Sequence, residues 1–167
     1  MIILGIDPGL ATTGFGVIRK LKNNEDIETI DYGCIITKPD LNCGERLKII
    51  NNEINKLIIR HNPKILAIES LYFFKNLKTA MPVSQAKGVI LLTAAKKKIP
   101  VHEFTPLQVK MTITGYGKAE KKQVQKMIQT ILKLEEKPED KEKRKDDATD
   151  ALGVALCYVY QTKKLII

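Results

Sequence analysis

Four acidic residues stand where they could hold divalent cations. Asp7 ends the apolar run "IILGI" and Glu69 ends "KILAI", so two buried strands are each predicted to finish on a carboxylate. Asp147 and Asp150 are three residues apart in "DDATDAL", which places them on one face of a predicted helix. If the four acids meet at one edge of a sheet, their oxygen atoms offer the ligands that a hard cation prefers.

Clustered carboxylates destabilise a fold unless cations lie among them. Two unit charges about 5 Å apart repel by roughly 3 kcal/mol at an effective dielectric of 20. Two magnesium ions about 4 Å apart can activate a water and stabilise the leaving oxygen of a phosphodiester. For single residues a simpler interpretation stays open. Asp7 before Pro8 could begin an ordinary turn, and Asp146 or Asp147 could cap a helix.

Composition and charge point to a polyanionic partner. The chain has 28 Lys and Arg against 19 Asp and Glu, a formal net charge of +9, which favours nucleic acid or an anionic surface. With only two histidines and two serines, zinc hydrolysis, a histidine-dependent nuclease and a serine triad are disfavoured. The three cysteines form no C-x-x-C pair, so neither a zinc site nor a disulfide framework is indicated.

No segment suggests a membrane protein. The longest uncharged stretch, Ala151 to Thr162, is shorter than the roughly 20 apolar residues of a spanning helix. The first residues lack the basic region of a secretory signal and meet Asp7 early. We therefore expect a cytoplasmic protein, and the length of 167 residues indicates a single domain over residues 1–167.

The hydrophobic pattern predicts an α/β protein. Short turn-rich links join the first three apolar runs, which is typical of an antiparallel meander. The charged run Glu135 to Lys145 is predicted to be a solvated loop. In chain order, the predicted elements are strands at Ile2 to Ile6, Gly14 to Arg19 and Thr29 to Thr37, a helix at Glu45 to Arg60, a strand at Ile65 to Ile68, a helix at Met81 to Lys98, a strand at Val101 to Phe104, and helices around Val124 to Leu132 and from Asp146 to Gln161.

The early glycines resemble two phosphate-binding motifs but complete neither. Gly9 and Gly14 have the spacing of a P-loop, yet Phe15-Gly16 follows where Lys and Ser or Thr are required. Arg19 occupies the third glycine position of a dinucleotide fingerprint. We interpret these glycines as a tight hairpin and as places where the backbone approaches a ligand closely.

Motifs run along almost the whole chain: "ILGIDPG", "TGFGVI", "AIES", "KNLKTA", "QAKGV", "QVKMTITGYGKAEKKQVQKMI" and "DDATDAL". Together these segments resemble the RuvC family of Holliday-junction resolvases, in the ribonuclease H-like superfamily. The resemblance implies a ribonuclease H-like fold with a mixed five-stranded sheet flanked by helices. It also implies a homodimer that makes paired symmetric nicks in four-way DNA junctions during recombination and repair. Two Mg²⁺ ions per subunit, which Mn²⁺ can replace, and the branch-migration partners RuvA and RuvB are implied as well.

The resemblance assigns catalytic and metal-binding roles to the four carboxylates. Asp7 would bridge both metals, Glu69 would hold one ion, and Asp147 with Asp150 would hold the other. Asp146 is an additional acid beside the family pattern. Its presence leaves open which of the two adjacent aspartates faces the metals, and the spacing to Asp150 favours Asp147.

The resemblance also assigns DNA contacts. Lys110 and Lys121 would neutralise phosphate near the cut. Tyr72, in "LYFFKN", would stack on a base at the junction centre, a contact worth about 1 to 3 kcal/mol for single-stranded bases. Lys75 and Lys78 in the same loop suit phosphate contact.

Two rival functions remain at this stage. One is another ribonuclease H-like nuclease that acts on RNA or on an RNA–DNA hybrid. The other is a junction-binding protein without catalysis, which the intact carboxylates disfavour. The apolar pattern between Val83 and Leu92 is the candidate dimer interface, although the same pattern could belong to the core.

Overall fold

The protein is described by a computed structural model that covers residues 1–21, 26–70, 77–134 and 142–163, with only the backbone described for 77–79, 142–145 and 163. Five strands and five helices lie within these ranges. The strands are β1 (Ile2–Asp7), β2 (Thr12–Lys20), β3 (Ile27–Ile36), β4 (Ile65–Glu69) and β5 (Val101–Phe104). The helices are α1 (Cys43–His61), α2 (Leu77–Lys96), α3 (Pro106–Thr114), α4 (Lys121–Leu132) and α5 (Glu142–Lys163).

The strands form one mixed sheet in the order β3-β2-β1-β4-β5. The first three strands are antiparallel, and β4 and β5 run parallel to β1, which confirms the predicted five-stranded α/β architecture. Ile6 of β1 lies opposite Ile68 of β4. Asp7 and Glu69 each come one residue later, so two neighbouring strands end on carboxylates at the same edge of the sheet.

Side-chain alternation directs both of these carboxylates to one face of the sheet. Leu4 and Ile6 of β1 belong to the core cluster that contains α1 and α2. Ile3 belongs to the opposite cluster, with α3, α4 and α5. Successive residues of a strand point to opposite faces, so Asp7 shares the α5 face with Ile3. In β4, Ile65 and Ala67 also lie on this face, and Glu69 follows with the same period.

Glycines on β1 and β2 let the backbone of α5 lie directly on the sheet. A Cβ on Gly5 would overlap the carbonyl oxygen of Ala151 and lie 2.9 Å from the nitrogen of Ala155. A Cβ on Gly16 would lie 2.7 Å from side-chain atoms of Leu152. At these positions only glycine leaves room for the helix at its observed depth.

The same observation corrects one sequence interpretation. A Cβ on Gly14 would overlap the carbonyl oxygen of Asp147, so Gly14 and Gly16 are approached by the protein's own helix and not by a ligand. Gly9 fits the other half of the interpretation. Its Cβ would overlap the carbonyl oxygen of Thr12, as a tight β1–β2 connection requires.

Helix α5 is the central element of the fold. Residues 151–159 are all buried, which is expected of a helix that is covered on every side. The sheet covers one side, and α3 and α4 pack against the other. The uncharged stretch that begins at Ala151 is therefore core. Among the described residues, no helix is long and apolar enough to cross a membrane.

The start of α5 differs from the sequence prediction. The helix begins at Glu142, so residues 142–145 of the predicted charged loop are helical, while residues 135–141 lie outside the described part of the chain. Glu, Lys and Arg are good helix formers and extend a helix that is anchored further on. Asp146 and Asp147 consequently lie in the second turn of α5 and do not cap it.

Two other helices also differ. Helix α3 was not predicted as a separate element, because only Val109 and Ile113 are buried along its nine residues. Its local signals are a Thr105–Gln108 capping box and a proline in the first turn. Helix α2 begins at Leu77, before the predicted start at Met81, and tolerates Pro82 inside it.

The glycine contact generates a stability prediction. We expect Gly5→Ala to lower the free energy of unfolding by about 2 to 3 kcal/mol, because the added methyl group forces α5 away from β1. Gly44→Ala is the matched control. Gly44 is exposed in the first turn of α1, and the nearest atom to an added Cβ lies 3.4 Å away, so a change within about 0.5 kcal/mol is expected. Urea unfolding followed by circular dichroism measures both, and equal effects would contradict the role given to Gly5.

Candidate active site

Three carboxylates from two elements meet at the carboxyl end of β1. Asp7, Asp147 and Asp150 can each offer one oxygen atom, and these oxygens all lie within 4.8 Å of one another. The spacing of three residues on α5 puts both helix acids on the side that faces β1. Asp146 is not part of this cluster. Of the two adjacent aspartates, the structure therefore brings Asp147 to Asp7.

Glu69 reaches the same place from β4. It lines a cavity of about 390 Å³ together with Asp7 and Asp150. The next residue fastens the end of this strand to β5: the Ser70 N–H donates to the carbonyl oxygen of Phe104 at 2.8 Å. The Ser70 hydroxyl donates to Oε2 of Glu103 at 3.3 Å, and Lys87 of α2 pairs with the same oxygen.

The electrostatics of the cluster are those of crowded, poorly hydrated carboxylates. Burial, followed by the charges of Glu69, Asp150 and Asp147, raises the pKa of Asp7 well above its ordinary value. Burial, followed by the charge of Asp150, raises the pKa of Glu69 to about 7. The fold thus holds carboxylates where ionisation is unfavourable, and hard divalent cations would relieve this. A donor set of carboxylate oxygens suits Mg²⁺ or Mn²⁺.

Two residues of α4 hold Asp150. Lys121 Nζ lies 2.7 Å from Asp150 Oδ2, and Gln125 Nε2 donates to Asp150 Oδ1 at 3.2 Å. Burial alone would lower the pKa of Lys121, but the hydrogen bond to Asp150 and the charges of Asp150, Asp146 and Asp147 outweigh it, so the pKa is raised. Lys121 is therefore a firmly cationic group at the edge of the acidic cluster.

Gln125 was missed by sequence reasoning. It is only 8% exposed, and its amide is committed to Asp150. The available signal was its position one helical turn after Lys121, on a helix whose apolar residues Val124 and Ile128 flank it. Buried polar residues of this kind are hydrogen-bonded, and here the partner is a cluster residue.

The cavity is lined by lysines and apolar residues as well as by the carboxylates. Lys110 of α3 and Lys121, to which the resemblance assigns phosphate contacts, both line it. The remaining lining is apolar and restricts water around the carboxylates. These lining residues are Pro106, Val109, Val124 and Ile128.

Three further residues with an expected DNA contact cannot be placed beside this cavity. Tyr72 and Lys75 lie outside the described residues. The backbone of Lys78 belongs to the first turn of α2, and not to a loop as expected, while its side chain lies outside the description.

Comparison with known proteins places the chain in a family. The family model for the crossover junction endodeoxyribonuclease RuvC matches residues 3–158. The chain is 49% identical over 158 residues to the crossover junction endodeoxyribonuclease RuvC of Desulforamulus reducens, covering 95% of this chain and 93% of that protein. It is 47% identical over 163 residues to that of Thermosipho melanesiensis, covering 98% of this chain and 99% of that protein.

Solved structures agree with these matches. The RuvC structure of Thermus thermophilus superposes with a TM-score of 0.85 and 29% identity, covering 98% of this chain and 96% of the other. The T. thermophilus RuvC in complex with a Holliday junction substrate superposes with a TM-score of 0.87, at the same identity and coverage. With its ribonuclease H-like sheet and its acidic cluster, the chain belongs to the RuvC family of crossover junction endodeoxyribonucleases.

Proposed function

We propose that this protein is a metal-dependent endonuclease that resolves four-way DNA junctions by paired symmetric nicks. A single nuclease domain would act as a homodimer in the cytoplasm, in DNA recombination and repair. The observation that carries the proposal is the convergence of carboxylates from β1, β4 and α5 in one cavity that two lysines also line. Membership of the RuvC family supplies the reaction class.

Asp7, Glu69, Asp147 and Asp150 would hold two Mg²⁺ or Mn²⁺ ions per subunit. The charge of each of the other three raises the pKa of Asp7, so Asp7 is the acid whose ionised form would gain most from bound cations. Such cations supply a water of lowered pKa as nucleophile and neutralise charge on the phosphate and the leaving oxygen.

The other residues of the cavity would position the phosphodiester. Lys121 is cationic, and Lys110 lines the same cavity, so both could neutralise a non-bridging phosphate oxygen. Gln125 fixes the orientation of the Asp150 carboxylate. The apolar lining excludes water and strengthens these charge interactions.

Junction recognition would use residues beyond the cavity. The T. thermophilus RuvC was solved with a Holliday junction substrate, and we infer the same class of substrate here. Tyr72 follows Glu69 by three residues in the sequence, which supports a base contact close to the cut. Lys75 and Lys78 would contact phosphates of the same strand. Cooperation with RuvA and RuvB belongs to this proposal through the family resemblance alone.

We expect Asp7→Asn and Glu69→Gln each to slow single-turnover cleavage of a synthetic four-way junction by roughly 10³-fold. Such a loss corresponds to about 4 kcal/mol of transition-state stabilisation from metal-bound groups. Asp146→Asn is the matched control, because this acid lies outside the cluster, and it should retain most of the activity. Junction binding should persist in all three variants, since phosphate contacts provide most of the affinity.

Other outcomes of that assay would favour the rival functions. Cleavage at the parent rate by either cluster variant would remove the proposed site. Absence of nicks by the parent protein with both Mg²⁺ and Mn²⁺ would favour a binding protein without catalysis. Faster cleavage of an RNA–DNA hybrid than of the junction would favour the other nuclease class.

The raised pKa of Glu69 predicts a pH-dependent stability without metal. Between its ordinary pKa and about 7, folded Glu69 keeps a proton that the unfolded chain has released, so stability falls as pH rises. In EDTA, the loss from about pH 5 to about pH 8 should be smaller in Glu69→Gln than in the parent by about 2 to 3 kcal/mol. Urea unfolding at both pH values measures it, and parallel pH profiles would contradict the prediction.

The proposed dimer would use the exposed face of α2. Only part of the predicted interface between Val83 and Leu92 is exposed. Ala86 and Ile90 are buried in the core, whereas Leu92 is 53% exposed. Met81 on the same helix is 71% exposed. Two large apolar side chains on one uncovered face support a protein interface there.

We expect Leu92→Glu to convert the dimer to a monomer, because a two-fold axis would bring two carboxylates together in an apolar contact. Light scattering measures the mass, and paired cleavage of the junction should give way to single nicks. Ile59→Glu is the matched control, since Ile59 is 65% exposed on α1 and should leave the mass unchanged. A dimeric Leu92→Glu protein would exclude this face as the interface.

A further inference from the structure

Helix α4 carries a row of exposed lysines on the side away from the core. Lys122, Lys126 and Lys133 are exposed and line an open groove of about 740 Å³, with Gln129 and Thr130 between them. Lys122 and Lys126 are four residues apart on one face of α4, and Lys133, which caps the carboxyl end of the helix, lines the same groove. Helix α4 itself contains no acidic residue. We call these three lysines the α4 lysine row.

The α4 lysine row has no acidic partner within the described part of the chain. Among the residues that the structure describes, none of the three lysines forms an ion pair, whereas Lys56, Lys87 and Lys121 each do. Lys122 and Lys126 are one turn apart and repel each other. Lys122 also lies in the first turn of α4, where the helix dipole disfavours a cation. The row therefore weakens the isolated helix, and an anionic partner would compensate.

One residue links the groove to the proposed cleavage site. Gln125 lines the groove and also donates to Asp150 of the acidic cluster. Lys121, next to Lys122 in the chain, pairs with the same carboxylate. From Lys122 to Lys133 the helix rises about 16 Å at 1.5 Å per residue. Since one DNA strand carries a phosphate about every 3.4 Å along the duplex axis, the row spans about five phosphates.

We propose that the α4 lysine row binds the phosphate backbone of a duplex arm of the junction, beside the strand held in the active site. The inference rests on the proposed function for its substrate and extends it to a surface outside the cavity. Lysine, unlike arginine, has no planar group that binds bidentately and acts as a point charge. The row would therefore supply affinity and orientation without recognising the DNA sequence. Duplex DNA and junction arms should engage it equally.

The test is a triple variant with Lys122→Gln, Lys126→Gln and Lys133→Gln. Fluorescence anisotropy with a labelled junction, in EDTA so that the DNA stays uncut, gives affinity as a function of salt. We expect affinity to fall by at least about tenfold and the slope of log K against log salt to shrink by about 2 to 3, roughly 0.9 per lost phosphate contact. The corresponding Lys→Arg triple variant should keep the parent slope, because it retains the charge.

The matched control removes the same net charge elsewhere. Lys64, Lys96 and Lys97 are exposed and lie near the starts of β4 and β5, at the end of the sheet opposite to Asp7. Their triple Gln variant should keep the parent slope. An unchanged slope in the α4 variant, or an equal loss in the control, would overturn the proposal. A parent protein that binds the junction but does not nick it with Mg²⁺ would instead count against the proposed function and leave this binding test intact.

Discussion

The whole site depends on the contact between the backbone of α5 and the glycines of β1 and β2. Side chains normally separate a helix from a sheet, and a helix held at that greater distance would leave Asp147 and Asp150 remote from Asp7. Gly5 and Gly16 remove this spacer, so that the carbonyl oxygen of Ala151 occupies the space of a missing Cβ. Glycine within a strand lowers stability by roughly 0.5 to 1 kcal/mol relative to alanine. The buried apolar surface of α5, continuous from 151 to 159, offsets that loss.

That contact forces like charges together. Asp7 is fixed by strand pairing and the helix acids by core packing, so none of the three can move away without disrupting buried structure. The raised pKa values of Asp7 and Glu69 are the electrostatic result. Lys121 and Gln125 compensate Asp150 directly. A cluster that is rigid and partly dehydrated would bind cations readily, because the fold has already brought the ligands together against their repulsion.

The positions of the four acids within their own strands and helix could be predicted from the hydrophobic pattern of the sequence. The strand ends at Asp7 and Glu69 follow from apolar runs, and the shared face of Asp147 and Asp150 follows from helical spacing. Gly14 and Gly16 are covered by α5 residues more than a hundred positions later in the chain. The local sequence does not show this contact, which is why a ligand was predicted to approach these glycines. Helix α3 buries too few residues to show a stripe, and the charged start of α5 has no apolar pattern at all. Gln125 acquires its role only when α4 packs against α5.

The lysines of α4 lie on two sides of the helix, and this arrangement explains how a protein with an acidic centre can attract a polyanionic substrate. Lys121 and Gln125 of α4 face the carboxylates, while Lys122 and Lys126 face the groove. At physiological ionic strength the Debye length is about 8 Å, so the repulsion between DNA and the acidic cluster is short-ranged. The lysine row is about 16 Å long and lines the groove, so it would attract DNA that lies beyond the short range of the carboxylates. The exposed face of α4 would attract a duplex arm before the phosphodiester reaches the acids. Bound cations are then needed only at that last step, where they would make the electrostatic potential at the cluster favourable to phosphate.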